Sequence, residues 1–91
     1  MNNNKKAFMR RLEQLGLEVG EWGWQSNYEY KEGAFDISME YGDHWKYADY
    51  YGEFRGGYMW ISDELKDLGS QYGYYFVWYN AAILCAMPEH L

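Results

Sequence analysis

Residues 35–41, Phe-Asp-Ile-Ser-Met-Glu-Tyr, alternate strictly between apolar and polar side chains. A period of two is typical of a β-strand, because successive side chains point to opposite faces of a sheet. This segment therefore predicts the clearest strand in the chain. The rest of the fold is expected to form around a sheet that buries one face.

Two helical segments flank this strand-forming middle. Asn4 can cap a first helix that Gly16 ends, and Ser62 can cap a second, shorter helix that Gly69 ends. In both segments leucines recur at helical spacing. The Gly-rich residues 17–23 are expected to form a connection without regular structure.

The remaining strands are predicted from alternation and from β-prone composition. They form a meander over residues 24–30, 35–41 and 44–51, and a C-terminal hairpin over residues 74–79 and 83–87. A turn at residues 31–34 and a two-residue turn at Gly42-Asp43 join the strands of the meander. The sequence thus predicts a single small α+β domain over residues 1–91. Its antiparallel sheet, a three-stranded meander plus the hairpin, carries both short helices on one face.

The charge balance limits the kind of partner. The chain has 8 basic and 14 acidic residues, a net charge of −6, and the acids are concentrated in residues 12–53. Direct binding to nucleic acid or to an anionic membrane requires the opposite sign, so a basic protein surface is the expected partner. A homodimer, in which the basic first helix docks on the acidic middle of a second copy, stays open.

The register set by the two turns places polar side chains in three rows across the outer face of the meander. The rows are Glu29–Asp36–Asp49, Asn27–Ser38–Tyr47 and Gln25–Glu40–Trp45. Carboxylates directly opposite one another destabilise a sheet, so the first row needs an explanation. We expect the acids to meet a cationic group or a metal on a partner, with aromatic side chains adding contact area. The predicted partner-binding residues are Glu29, Asp36, Glu40, Asp49, Trp45 and Tyr47.

Two simpler explanations of the acidic row stay open. The register can be wrong by one or two residues, or the third strand can fail to pair with the second. Alternatively, the carboxylates are splayed into water on a solvated face.

In size, acidity, aromatic content of 22% and lack of a recognised catalytic motif, the chain resembles the small inhibitor proteins of bacterial viruses. Anti-CRISPR and anti-restriction proteins are examples. The resemblance is one of general character across the whole chain and aligns no residues. It implies a non-enzymatic protein in the bacterial cytoplasm that occupies a nucleic-acid-binding surface on a host defence complex. Carboxylates at positions i and i+2 of a strand lie about 6.7 Å apart, which is comparable to the distance between neighbouring phosphates on a nucleic-acid strand.

A second hypothesis is a small-ligand or carbohydrate-binding module. It uses an exposed aromatic patch formed by Trp45, Tyr51, Tyr58 and Trp60. Binding of this kind depends little on salt, which separates it from the first hypothesis.

A third hypothesis, a metal-dependent enzyme, rests on His44 with Asp43, Asp49 or Glu53. The chain has no zinc-binding spacing of His and Cys, so we expect no metal site, no cofactor and no catalytic residue. The single cysteine, Cys85, lies in an apolar run and is expected to be a buried, inert thiol in a reducing compartment.

Overall fold

The computed structural model describes residues 4–22, 32–52 and 57–89. Within these ranges the helices are α1 (Asn4–Gln14) and α2 (Asp63–Tyr72), and a short 3-10 helix spans His44–Lys46. The strands are β1 (Leu17–Gly20), β2 (Phe35–Gly42), β3 (Ala48–Asp49), β4 (Trp60–Ile61), β5 (Tyr74–Asn80) and β6 (Ile83–Pro88).

The strands form two antiparallel sheets. The larger sheet has the order β1-β2-β6-β5, and the smaller sheet pairs β3 with β4. The predicted α+β class and the predicted C-terminal hairpin, β5–β6, are confirmed. At the centre of the larger sheet Asp36 of β2 lies opposite Cys85 of β6.

Both predicted helices are present. Asn4, the predicted cap of the first helix, is itself the first described residue of α1. The predicted cap of α2 is confirmed, because the Ser62 hydroxyl accepts a hydrogen bond from the Leu65 N–H at 3.1 Å. The predicted end of α2 at Gly69 is wrong, because the helix continues to Tyr72 and is capped by Gly73. Gly69 is instead a packing position, since a Cβ there would lie 2.9 Å from the Phe76 ring.

The predicted meander is wrong in the residues that the structure describes. The expected connection after α1 contains β1, and β1 and β6 occupy the two edges of β2. No edge of β2 is left for the predicted third strand over residues 44–51. That segment instead forms the 3-10 helix and then β3, which pairs with β4. The predicted strand over residues 24–30 lies outside the described residues.

The helices pack on one face of the larger sheet, as predicted. Phe8 of α1 is fully buried, and its ring centroid lies 5.0 Å from those of Tyr72 and Tyr74 and 5.7 Å from that of Phe35. The buried core on this face consists of Phe8, Leu12, Leu17, Phe35, Ile37, Met39, Ala48, Leu65, Tyr74, Trp78, Leu84 and Ala86. Large aromatic side chains therefore fill much of the core.

The opposite face of the larger sheet is also buried where it crosses β2. Asp36 and Ser38 are buried there, and Cys85 and Met87 of β6 lie on the same face. Alternation in β2 therefore separates two buried environments rather than a core from solvent. The prediction that Cys85 is buried is confirmed.

Candidate functional site

The predicted acidic row does not form between its described members. Asp36 has no exposed surface, and its Oδ2 accepts a hydrogen bond from the Trp22 N–H at 3.2 Å. Asp49 lies in the smaller sheet opposite Trp60. The solvent-exposed position predicted for Asp36 is therefore wrong, because the face of β2 opposite the main core is itself buried at Asp36 and Ser38. Glu29 lies outside the described residues.

The other predicted site residues lie in different surroundings. Glu40 is exposed on β2. Tyr47 is half-buried against the core, and its carbonyl accepts a hydrogen bond from the Ser62 N–H at 2.8 Å. The structure brings two of the predicted residues, Trp45 and Asp49, together in one concave site.

This site is a cleft of about 210 Å³, which we call the aromatic cleft. It lies where the end of β2 and the β5–β6 turn meet the segment 44–51. Its lining residues are Met39, His44, Trp45, Ala48, Asp49, Tyr50, Tyr51, Trp78 and Ala81. The volume is below the range of about 300–1,000 Å³ that is usual for drug-sized ligands. A single long side chain or one small ring is the size of ligand that fits.

The walls of the aromatic cleft are built around Tyr50. Its ring meets those of Tyr51 and Trp78 edge to face, with centroids 5.1 and 5.2 Å apart. Tyr58 packs on it at 5.2 Å, and the Tyr58 hydroxyl donates a hydrogen bond to the Tyr50 hydroxyl at 3.0 Å. That hydrogen bond is the main cause of the raised pKa of Tyr50. Edge-to-face packing fixes the Tyr50 ring against those of Tyr51 and Trp78. Aromatic surface stays exposed beside it, since Tyr51 and Trp45 are 65% and 50% exposed.

Trp78 forms the buried floor of the aromatic cleft and is held in place by the backbone. Its Nε1–H donates to the Met59 carbonyl at 3.2 Å. The Met59 N–H in turn donates to the Tyr50 carbonyl at 2.6 Å. Met59 is thus hydrogen-bonded both to Trp78, the floor of the aromatic cleft, and to Tyr50 in its wall.

Asp49 is the carboxylate of the aromatic cleft. Its Oδ1 accepts a hydrogen bond from the Gly52 N–H at 3.1 Å, which fixes the side chain over the turn that follows β3. Burial lowers the pKa of His44, and the charge on Asp49 only partly opposes that shift. At neutral pH the imidazole is therefore uncharged, and the carboxylate gives the aromatic cleft a negative charge.

Aromatic faces next to a fixed carboxylate are suited to hold a cation. Trp45 already has such a contact, since the Lys46 ammonium lies 5.5 Å from its ring centroid. Among the described residues, no three His, Cys, Asp or Glu side chains are grouped so that they could hold a metal ion. Glu53, one of the residues considered as a metal ligand with His44, lies outside the described residues.

A second cavity, of about 220 Å³, lies between α2 and β5. It is lined by Ile61, Lys66, Ser70, Tyr74, Tyr75, Phe76 and Glu89. Lys66 and Glu89 carry opposite charges, so this cavity offers no net charge to a ligand. The aromatic cleft is the better candidate for recognition of a charged group.

The aromatic patch predicted for a small-ligand module lies in and around the aromatic cleft. Trp45 and Tyr51 line it, Tyr58 packs against its wall, and Trp60 is half-buried opposite Asp49. The sequence does not indicate the roles of Tyr50 and Trp78 in the aromatic cleft. Tyr50 follows Asp49 directly, but nothing in the sequence links Trp78 to that segment.

Comparisons with protein-family models, with curated proteins and with solved structures found no match. In the part of the chain that the structure describes, neither helix has the length and apolar character needed to cross a bilayer.

Proposed function

We propose that the chain is a non-enzymatic binding protein that engages a basic surface of another protein through the aromatic cleft. The observation that carries this proposal is the fixed Asp49 carboxylate among exposed aromatic rings, beside an imidazole that is uncharged at neutral pH. The net charge of −6 supports it, because it favours approach to a basic surface over approach to nucleic acid.

The general likeness to small phage-encoded inhibitors suggests which basic surface this is. A surface that normally holds nucleic acid, such as that of a bacterial defence complex, has the required charge. The proposal then places the protein in the cytoplasm of a bacterial cell. In this proposal Asp49 acts within the aromatic cleft, and the other acids act through their summed charge rather than as the predicted row.

The test is affinity capture from a bacterial lysate with three versions of the chain. We expect the native chain to retain basic nucleic-acid-binding proteins that elute with salt and that added DNA or RNA displaces. Trp45→Ala should lose them, because it removes an exposed ring of the aromatic cleft. Trp22→Ala should keep them, because Trp22 is about as exposed as Trp45 but does not line the cleft. Equal capture by both variants would contradict the proposal.

A small-ligand or carbohydrate module is the second candidate function. The exposed rings of Tyr51 and Trp45 favour it, since sugars stack on aromatic faces. Salt dependence separates the two candidates. Binding of a neutral sugar should change little between low and high salt, whereas binding of a basic surface should weaken strongly.

A further inference from the structure

Resting on the proposed function, we infer that the aromatic cleft binds the guanidinium group of a single arginine side chain on the basic partner. Three features of the aromatic cleft favour this group: its size, its aromatic rings, and the carboxylate of Asp49 beside the imidazole of His44.

The rings favour a flat cation. A guanidinium is planar and weakly hydrated, so it stacks on an aromatic face, whereas an ammonium is compact and strongly hydrated. The edge-to-face arrangement of Tyr50 with Tyr51 and with Trp78 gives the aromatic cleft ring surfaces in more than one orientation. A planar group can stack on one ring while its edge points toward another.

The polar side chains favour a cation with several donors. A guanidinium carries five N–H donors in a fixed fork, and a carboxylate has acceptor capacity for several of them. Asp49 is held by the Gly52 N–H, so little side-chain freedom is lost when a cation binds. The uncharged imidazole of His44 adds no positive charge that would repel the ligand.

The test compares an octa-arginine peptide, an octa-lysine peptide and free L-arginine, at about 0.15 M salt. Binding is followed through the indole N–H signals of Trp45 and Trp78 in NMR spectra. We expect the arginine peptide to bind roughly fivefold more tightly than the lysine peptide and to shift both signals. Free arginine should bind more weakly than the arginine peptide, because it lacks the neighbouring basic groups of a protein surface.

A matched pair of variants separates a local carboxylate from net charge. Asp49→Asn keeps an Oδ1 that can accept from the Gly52 N–H, but it removes the charge from the aromatic cleft. Asp67→Asn makes the same change of net charge at an exposed position of α2 that does not line the cleft. We expect Asp49→Asn to weaken arginine-peptide binding about tenfold, and Asp67→Asn to weaken it less than about twofold.

The outcomes distinguish this inference from the proposed function. If neither peptide binds, both are wrong. If the two peptides bind equally well and Asp49→Asn has no larger effect than Asp67→Asn, the chain binds basic surfaces without an arginine site. Binding of free arginine as tight as that of the peptide would overturn the assignment to a partner's side chain.

Discussion

The indole N–H of Trp78 donates a hydrogen bond of 3.2 Å to the main-chain carbonyl of Met59. Trp78 lies in β5 of the larger sheet, whereas Met59 directly precedes β4 of the smaller sheet. Met59 has a left-handed backbone, with φ of 60°, which is uncommon for a residue with a side chain. The bond links the floor of the aromatic cleft to the residue that precedes β4. The shape of the cleft therefore depends on how the two sheets meet.

Trp78→Phe should lower the free energy of unfolding by about 1–2 kcal/mol. It removes the donor to Met59 and leaves a smaller ring in a buried position. Urea denaturation measures the change. Trp22→Phe, at an exposed tryptophan, should change it by less than about 0.5 kcal/mol. Equal losses in the two variants would show that the Trp78 bond contributes nothing.

Met59→Gly should raise the free energy of unfolding by about 0.5–1 kcal/mol. Glycine adopts the left-handed region without the Cβ penalty, and the gain exceeds the entropy that it adds to the unfolded chain. Met59→Ala is the control, since it shortens the side chain but keeps the penalty. Thermal or urea unfolding should rank the glycine variant above the alanine variant. The reverse order would contradict the argument from backbone strain.

Gly69→Ala should destabilise the fold by about 1–3 kcal/mol. This loss is expected even though alanine has a higher helix propensity than glycine, by about 1 kcal/mol. The added methyl would lie 2.9 Å from the Phe76 ring and 3.0 Å from the Tyr74 carbonyl, so α2 would have to move away from β5. Ser70→Ala, at the next and exposed position of α2, tests helix propensity alone. We expect it to change stability by a few tenths of a kcal/mol. A gain in both variants would show that α2 has room to move.

The fold should lose stability between about pH 9 and pH 12. Burial, followed by the nearby Asp36 carboxylate, raises the pKa of the Cys85 thiol from 9.0 to about 12, and burial raises that of Tyr74 from 10.0 to about 12. Well below pH 9 both groups are neutral in the folded and unfolded states, so they cause no loss. As the pH rises through 9.0 for Cys85 and 10.0 for Tyr74, the unfolded chain ionises before the folded chain. This lowers the free energy of unfolding by up to about 1.4 kcal/mol per pH unit for each group.

Urea denaturation at about pH 8 and about pH 10.5 tests this dependence. Cys85→Ala should lose less stability between the two conditions than the native chain, because the variant has no thiol to ionise on unfolding. If the two chains lose the same amount, the environment of Cys85 does not contribute to the alkaline loss.

Lys46→Ala should strengthen binding of the arginine peptide by about twofold. The Lys46 ammonium lies over the Trp45 ring and 3.8 Å from the Asp43 carboxylate, so it adds positive charge beside the aromatic cleft. Peptide titration followed by Trp fluorescence measures the change. Lys66→Ala, on α2, is the charge-matched control and should have a smaller effect. Weaker binding by Lys46→Ala would mean that Lys46 supports the ligand rather than competes with it.

The parts of the fold that are determined by residues close together in the sequence were predictable. Periodicity and capping residues are local signals, and they predict both helices, the cap of α2, the strand β2 and the β5–β6 hairpin. The four residues of β1, which follow Gly16 and end on Gly20, are too few for an alternation to stand out.

The neighbours of β2 were not predictable in the same way. Adjacent strands in a sequence often pair, but here β6 pairs with β2 from the other end of the chain. The burial of Asp36 was not predictable either, since the alternation of one strand does not tell whether its polar face is covered. The aromatic cleft was missed for a similar reason, because Asp49 and Trp78 meet only after the two sheets have packed.

The central position of β6 also bears on the order of folding. α2 and the β5–β6 hairpin form from consecutive segments, whereas β2 must find β6 across the whole stretch between residues 42 and 83. Closing a loop of that length costs chain entropy before any contact repays it. We therefore expect the C-terminal half to form first and β2 to join it late. Refolding followed by Trp fluorescence should then take milliseconds or longer, rather than the microseconds typical of the fastest helical domains.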